Sequence, residues 1–189
     1  KKRYYPSDSR WTIRRGSMLN VRFMKSVGVF DCVYCWGVAH HTGNMNKALE
    51  NLVPLCKKNG LLYLAIYNDQ GKASVRWKKV KYRYNHLPFL MKNLYVLIFI
   101  LYFELKPFIY NMMRIRIREI SKRRNEYDTK SGRGMNRWND YIDWVGGYPF
   151  EVAKPEVIFY FFKSRGFELI KLKTCCGGLG NNEYLFKKS

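Results

Sequence analysis

The sequence predicts an α/β protein built on a doubly wound sheet with a helical insertion and a terminal antiparallel hairpin. Three observations carry this. Phe30 to Trp36 is an apolar, aromatic run bracketed by Gly28 and Gly37, too short for a helix and suited to a buried parallel strand. Leu61 to Tyr67 is a second such run, reached through a helix-patterned segment and closed by the polar stretch Asn68-Asp69-Gln70-Gly71. Near the carboxyl end, Ile170 and Leu172 alternate with Lys171 and Lys173, and Glu183 to Lys187 supplies a return strand after a glycine- and asparagine-rich turn over Cys175 to Asn182.

In chain order, Lys1 to Arg10 is basic and polar and reads as a connection. Trp11 to Arg15 reads as a short strand, and Gly16 to Asn20 as the loop after it. The segment Asn44 to Lys58 places Met45, Ala48, Leu49, Leu52, Val53 and Cys56 at helical spacing, with Asn44 as N-cap and Gly60 just past the end. Pro54 is the discordant residue. It would leave the Glu50 carbonyl without a donor, so it kinks that helix or ends it early. A strand, a polar loop, a helix and a strand form a right-handed crossover, which brings the loops after both strands to one carboxyl edge.

The chain then divides into a core over residues 1–70, a helical insertion over 71–141, and a terminal part over 142–189 that completes the sheet. Within the insertion, Leu94 to Phe103 is continuously apolar but flanked by Lys92, Glu104 and Lys106. A bilayer span needs about 20 such residues, so this run reads either as the buried helix of a lid or as a helix lying in a membrane surface. Arg114 to Arg124 is the densest basic run, and helical winding would wrap its arginines around the axis. Ser131 to Gly134 reads as a loop. In the terminal part, Pro155 at a first turn, Val157, Ile158, Phe161 and Phe162 at helical spacing and Gly166 at the end define a short helix.

Composition bounds the rest. The 189 residues are 47% hydrophobic and 17% aromatic, enough for one ordinary core. Lys and Arg number 35 against 14 acidic residues, a net charge of +21. That excess fits attraction to phosphate on nucleic acid, a membrane surface or an anionic substrate; it equally fits a solvated basic surface, since the charge is spread along the chain. Five cysteines without a secretory leader suit a reducing, cytoplasmic setting. Cys32 and Cys35 form a CxxC, but residues three apart on a strand point to opposite faces, which disfavours a shared metal.

The loop after the first buried run holds His40 and His41. Imidazole takes a proton from a hydroxyl near neutral pH, and the carboxyl edge of a sheet is where α/β proteins hold reacting groups, so both are candidate general bases. The run Phe30-Asp31-x-Val33-Tyr34-x-Trp36-Gly37-Val38-x-His40-His41-Thr42-Gly43, followed by a helix and Asn59-Gly60-Leu61-Leu62-Tyr63-Leu64-Ala65-Ile66-Tyr67-Asn68, resembles the fourth-to-fifth-strand block of class I S-adenosylmethionine-dependent methyltransferases. The similarity extends to Trp11 to Asn20, to Asp143 to Glu151, and to Gly166 through Phe186.

The resemblance implies a Rossmann-like methyltransferase sheet, S-adenosylmethionine as cofactor, and methyl transfer, with O-methylation of a small-molecule acceptor expected. It implies cofactor contacts from Ser17, Met18, Leu19, Cys35, Trp36 and Gly37, catalysis by His40 or His41, and acceptor contacts from Tyr148, Glu151 and Asn68. No GxGxG-like loop occurs in the sequence, and no acidic residue stands where the second strand would end. The reading is therefore of a truncated copy, the carboxyl-terminal part of a longer protein. A non-catalytic remnant or subunit, and a basic protein that binds nucleic acid or a membrane surface, are the alternatives.

Overall fold

The computed structural model describes residues 12–113, 137–178 and 180–189. Two compact units emerge, one from residues 1–71 with 151–189 and one from 72–150. The first holds α1 (Val21–Val27), β1 (Phe30–Trp36), a 3-10 turn (Ala39–His41), α2 (Met45–Leu52), a second 3-10 turn (Val53–Leu55), β2 (Cys56–Tyr67), and, after the other unit, α6 (Pro155–Lys163), β3 (Phe167–Lys173) and β4 (Asn181–Lys188). The second holds α3 (Lys72–His86), α4 (Phe89–Met113) and α5 (Arg137–Gly146).

The sheet is mixed, with strand order β1-β2-β4-β3. β1 and β2 run parallel, Val33 opposite Leu62 and Trp36 opposite Ala65. β4 lies antiparallel to both β2 and β3, with Leu64 opposite Tyr184 and Leu172 opposite Tyr184 on its other side. The terminal hairpin thus joins the sheet of the two predicted buried strands, β4 inserting between β2 and β3. The architecture is α/β, as the sequence predicts. The doubly wound arrangement is not displayed, because one face of β1 and β2 is open to water among the described residues: Tyr34 is 66% exposed and clusters with Trp36 and Tyr63.

The other face is the core. Val33, Cys35, Leu62, Leu64, Ile66, Tyr184 and Phe186 pack with Ala48, Leu49 and Leu52 of α2 and Ile158 and Phe162 of α6 in one cluster. Phe162 lies 4.8 Å from Phe186, and Phe186 stacks on Tyr184 at 5.8 Å. Burying each such ring stabilises the fold by roughly 1.5–3 kcal/mol, so this aromatic cluster ties α6 to the hairpin.

Four expectations are corrected. The helix after β1 starts where predicted, with the Asn44 side chain accepting the Lys47 N–H at 3.1 Å, but ends at Leu52 instead of Lys58. Pro54 sits in the following 3-10 turn, where its missing N–H costs no helical bond. Strand β2 accordingly begins at Cys56, not Leu61, and its register with β1 shifts between Phe30 and Cys32. Gly60 is a site of close approach within that irregularity and not a helix terminus: a Cβ there would lie 2.9 Å from the Lys57 carbonyl oxygen and 3.1 Å from that of Asp31. Finally, residues 12–15 of the expected first strand form none. Arg14 instead donates to the carbonyl and hydroxyl of Ser26 at 2.6 and 2.8 Å and lies over the Phe23 ring. Trp11 lies outside the described residues.

In the second unit, α3 and α4 form an antiparallel hairpin. Trp77 meets Phe99, Tyr84 meets Tyr95, and α5 packs on both helices. Lys81 is fully buried. Its Nζ donates to the Trp144 carbonyl and lies 4.6 Å from the Trp144 ring and 5.1 Å from that of Phe150. Burial lowers its pKa to about 8. The basic run Arg114 to Arg124 and the loop Ser131 to Gly134 lie outside the described residues.

Candidate functional site

The carboxyl ends of β1 and β2 collect most of the residues singled out in the sequence. β1 stops at Trp36, and the Gly37 N–H extends the ladder by one bond to the Ala65 carbonyl at 3.3 Å. Gly37 has φ +67, in the left-handed region that glycine enters without steric cost. Nothing lies within 4 Å of where its Cβ would be, so the backbone here borders open space. The chain then folds into the 3-10 turn of Ala39 to His41, held by the Thr42 hydroxyl donating to the Ala39 carbonyl at 2.8 Å.

His40 and His41 differ in setting. His40 is fully buried, and its Nδ1 accepts the Tyr67 N–H at 3.3 Å, so the neutral ring carries its proton on Nε2. Its ring centroid is 4.0 Å from that of Tyr67. His41 is half-buried, with its ring centroid 4.5 Å from that of His40 and edge-on to Tyr67 at 5.4 Å.

Beyond the end of β1, the place beside β2 is taken by residues 151–153. The Ala153 N–H donates to the Tyr67 carbonyl at 3.0 Å and the Asp69 N–H to the Ala153 carbonyl at 3.2 Å, a parallel bridge between Asn68 and Ala153. Glu151 joins this arrangement through both backbone and side chain. Its N–H donates to the His40 carbonyl at 3.0 Å, and its Oε2 accepts the Met45 N–H at 3.0 Å, placing a carboxylate at the amino end of α2 where helix dipole and unpaired donors favour negative charge. Asn68 is fixed from the other side, its Oδ1 accepting from Asn182 Nδ2 at 3.0 Å and its N–H donating to the Gly180 carbonyl at 3.0 Å.

Trp36, Gly37, His40, His41, Asn68 and Glu151 therefore share one edge of the sheet. Cys35 lies just below it, buried, and burial raises its thiol pKa to about 11, which leaves it protonated and inert at neutral pH. Ser17, Met18 and Leu19 are not brought to this edge. The Met18 carbonyl accepts from Asn51 Nδ2 at 2.7 Å, and Asn51 stands six residues beyond Met45, about 9 Å along α2 at the usual helical rise. The Ser17 hydroxyl accepts the Leu19 N–H within its own loop at 3.2 Å. Tyr148 belongs to the second unit, where its ring meets Tyr82 edge-on at 5.6 Å.

Two contributors were absent from the sequence reading of the site. Tyr67 acts through its backbone, and any residue at that register would supply the same N–H, so no sequence signal marks it. Asn182 is buried and bridges Asn68 to the Cys175 N–H, which it accepts at 3.1 Å. A polar residue amid the alternating pattern of β4 was the available signal. No group of three or more His, Cys, Asp or Glu able to hold a metal ion occurs among the described residues.

No known protein family matches the chain by sequence, and no curated protein does. Among solved structures, it is similar to PKMT2 from Rickettsia typhi, at a TM-score of 0.48 and 12% identity over 85% of this chain and 36% of that one. The structure of the same protein in complex with AdoHcy gives a TM-score of 0.48 and 12% identity over 92% of this chain and 38% of that one. The chain thus spans well under half the length of these two structures.

Proposed function

We propose that this chain is part of an S-adenosylmethionine-dependent methyltransferase that methylates a hydroxyl of a small-molecule acceptor. The observation that carries the reading is strand order. The block around Trp36 to Gly43 resembles the fourth and fifth strands of class I methyltransferases, and an antiparallel hairpin inserted with its second strand next to β2 is the expected counterpart of their sixth and seventh. A completed doubly wound sheet would require further polypeptide, which would also supply the glycine-rich loop that this sequence lacks and cover the open face bearing Tyr34.

The open backbone at Gly37 fits a ligand laid on the carboxyl edge; Cys35, Trp36 and Gly37 would hold the cofactor there. When bound, S-adenosylmethionine supplies an electrophilic methyl group. The chain's own work is placement and proton handling. His41, half-buried at the edge, accepts the acceptor hydroxyl's proton. His40, whose Nδ1 lone pair is engaged by the Tyr67 N–H, sets the position of His41 and the turn. Asn68 contacts the acceptor, whereas Glu151, already engaged with Met45, orders the edge.

Calorimetric titration tests the division of labour. The isolated 189 residues should bind S-adenosylmethionine weakly or not at all, and micromolar affinity in that chain would overturn the proposed truncation.

A further inference from the structure

The surface of α4 away from its own unit is apolar. Val96 is fully buried, and Tyr95 and Phe99 pack on Tyr84 and Trp77 of α3. Leu90, Leu94, Leu97, Ile98, Leu101 and Leu105, by contrast, are 44–86% exposed. At 3.6 residues per turn these six fall within an arc of about 100°, opposite the packed residues, and the stripe runs for about 22 Å along the axis. An exposed apolar strip of this length marks an interaction surface.

Charge on the neighbouring helix selects the partner. α3 has no acidic residue, and Lys72, Arg76, Lys79 and Arg83, all exposed, share one side of it by their spacing of four, three and four. The whole chain carries +21. Apolar side chains together with a row of cations on a helix that carries no acidic residue complement an anionic lipid surface, where hydrocarbon lies directly beneath phosphate. No helix among the described residues is long and apolar enough to cross a membrane, and Lys92, Glu104 and Lys106 interrupt α4 itself.

We infer that α4 docks flat on an anionic bilayer, with its leucine stripe in the interface and the cations of α3 against headgroup phosphates. Docking of this kind is independent of methyl transfer. It would bring the second unit to acceptors that partition into lipid.

The test is co-sedimentation of the 189-residue chain with vesicles of phosphatidylcholine alone and of phosphatidylcholine mixed with phosphatidylglycerol, with circular dichroism reporting the fold of each variant. The chain should bind the mixed vesicles at least about tenfold more tightly than the neutral ones. Leu94→Gln combined with Leu101→Gln should weaken binding about a hundredfold, near tenfold for each side chain withdrawn from the interface. Lys79→Gln with Arg83→Gln should remove most of the preference for anionic lipid. Absence of vesicle binding by the parent chain overturns the inference. So does unchanged binding by the leucine variant, which would mean adsorption through charge alone, or an oligomer that the leucine substitutions dissociate, which would make the stripe a contact between copies.

Discussion

Nδ1 of His40 accepts the backbone N–H of Tyr67 at 3.3 Å, and this bond ties the turn after β1 to the end of β2. His40→Ala removes both the acceptor and a fully buried ring, leaving a backbone donor without its partner. The expected cost is about 2–4 kcal/mol of stability, read as a lowered urea midpoint. His41→Ala should cost less than about 1 kcal/mol, since its ring is only half-buried. Equal losses would contradict the distinct settings of the two rings.

In the longer protein that the proposed function requires, His41→Ala should lower turnover by about a hundredfold or more while leaving cofactor affinity nearly intact, because acid–base catalysis contributes about 10²–10⁴. Unchanged turnover would remove His41 from the mechanism and leave positioning as the main catalytic contribution.

Glu151 is a capping residue in this structure. Glu151→Ala should destabilise the first unit by about 1 kcal/mol, and Glu151→Gln by about half as much, since the amide oxygen can still accept the Met45 N–H but carries no charge at the helix terminus. Urea denaturation checks this. A Glu151→Ala variant with unchanged stability and weakened acceptor binding would return Glu151 to direct contact with the acceptor.

Lys81 gives the second unit a pH dependence. Its folded-state pKa is lowered to about 8 by burial, against an ordinary value near 10.4 in the unfolded chain. Between these values the unfolded state holds a proton that the folded state does not, so stability rises with pH across the window from about 8 to 10.4. The gain reaches on the order of 3 kcal/mol, and it is absent below pH 8, where both states are charged. Lys81→Met should abolish that rise. Thermal unfolding at pH 7.5 and 10, compared between parent and variant, separates this effect from the general relief of positive charge, and identical slopes would contradict it.

The sheet was largely legible because it rests on local patterns. β1 and the hairpin show short apolar runs or period-two alternation, and Asn44 and Pro155 are capping and first-turn signals that need no tertiary context. The parts that were not legible depend on contacts distant in sequence. Lys57 and Lys58 read as the polar end of a helix, yet with Asn59 they belong to an irregular start of β2 in which Asn59 takes φ +61 and Gly60 lies against Asp31. Glu151 reads as an acceptor contact because nothing nearby shows that Met45, 106 residues earlier, needs a carboxylate. Loop Ser17 to Leu19 was assigned by resemblance alone, and its anchor, Asn51, lies on another helix.

The central claim is that the edge at Trp36 and Gly37 is a cofactor edge, and one titration addresses it directly. S-adenosylmethionine would be titrated calorimetrically into the longer polypeptide that the proposed truncation requires and into its Gly37→Val variant. The left-handed φ of Gly37 and the open space above it mean that a β-branched residue both strains the turn and fills the ligand's approach. The account predicts saturable binding by the parent and at least a tenfold loss, about 1.4 kcal/mol, in the variant, with the variant's fold retained by circular dichroism. No binding by the parent, or equal affinity in a folded variant, would contradict it.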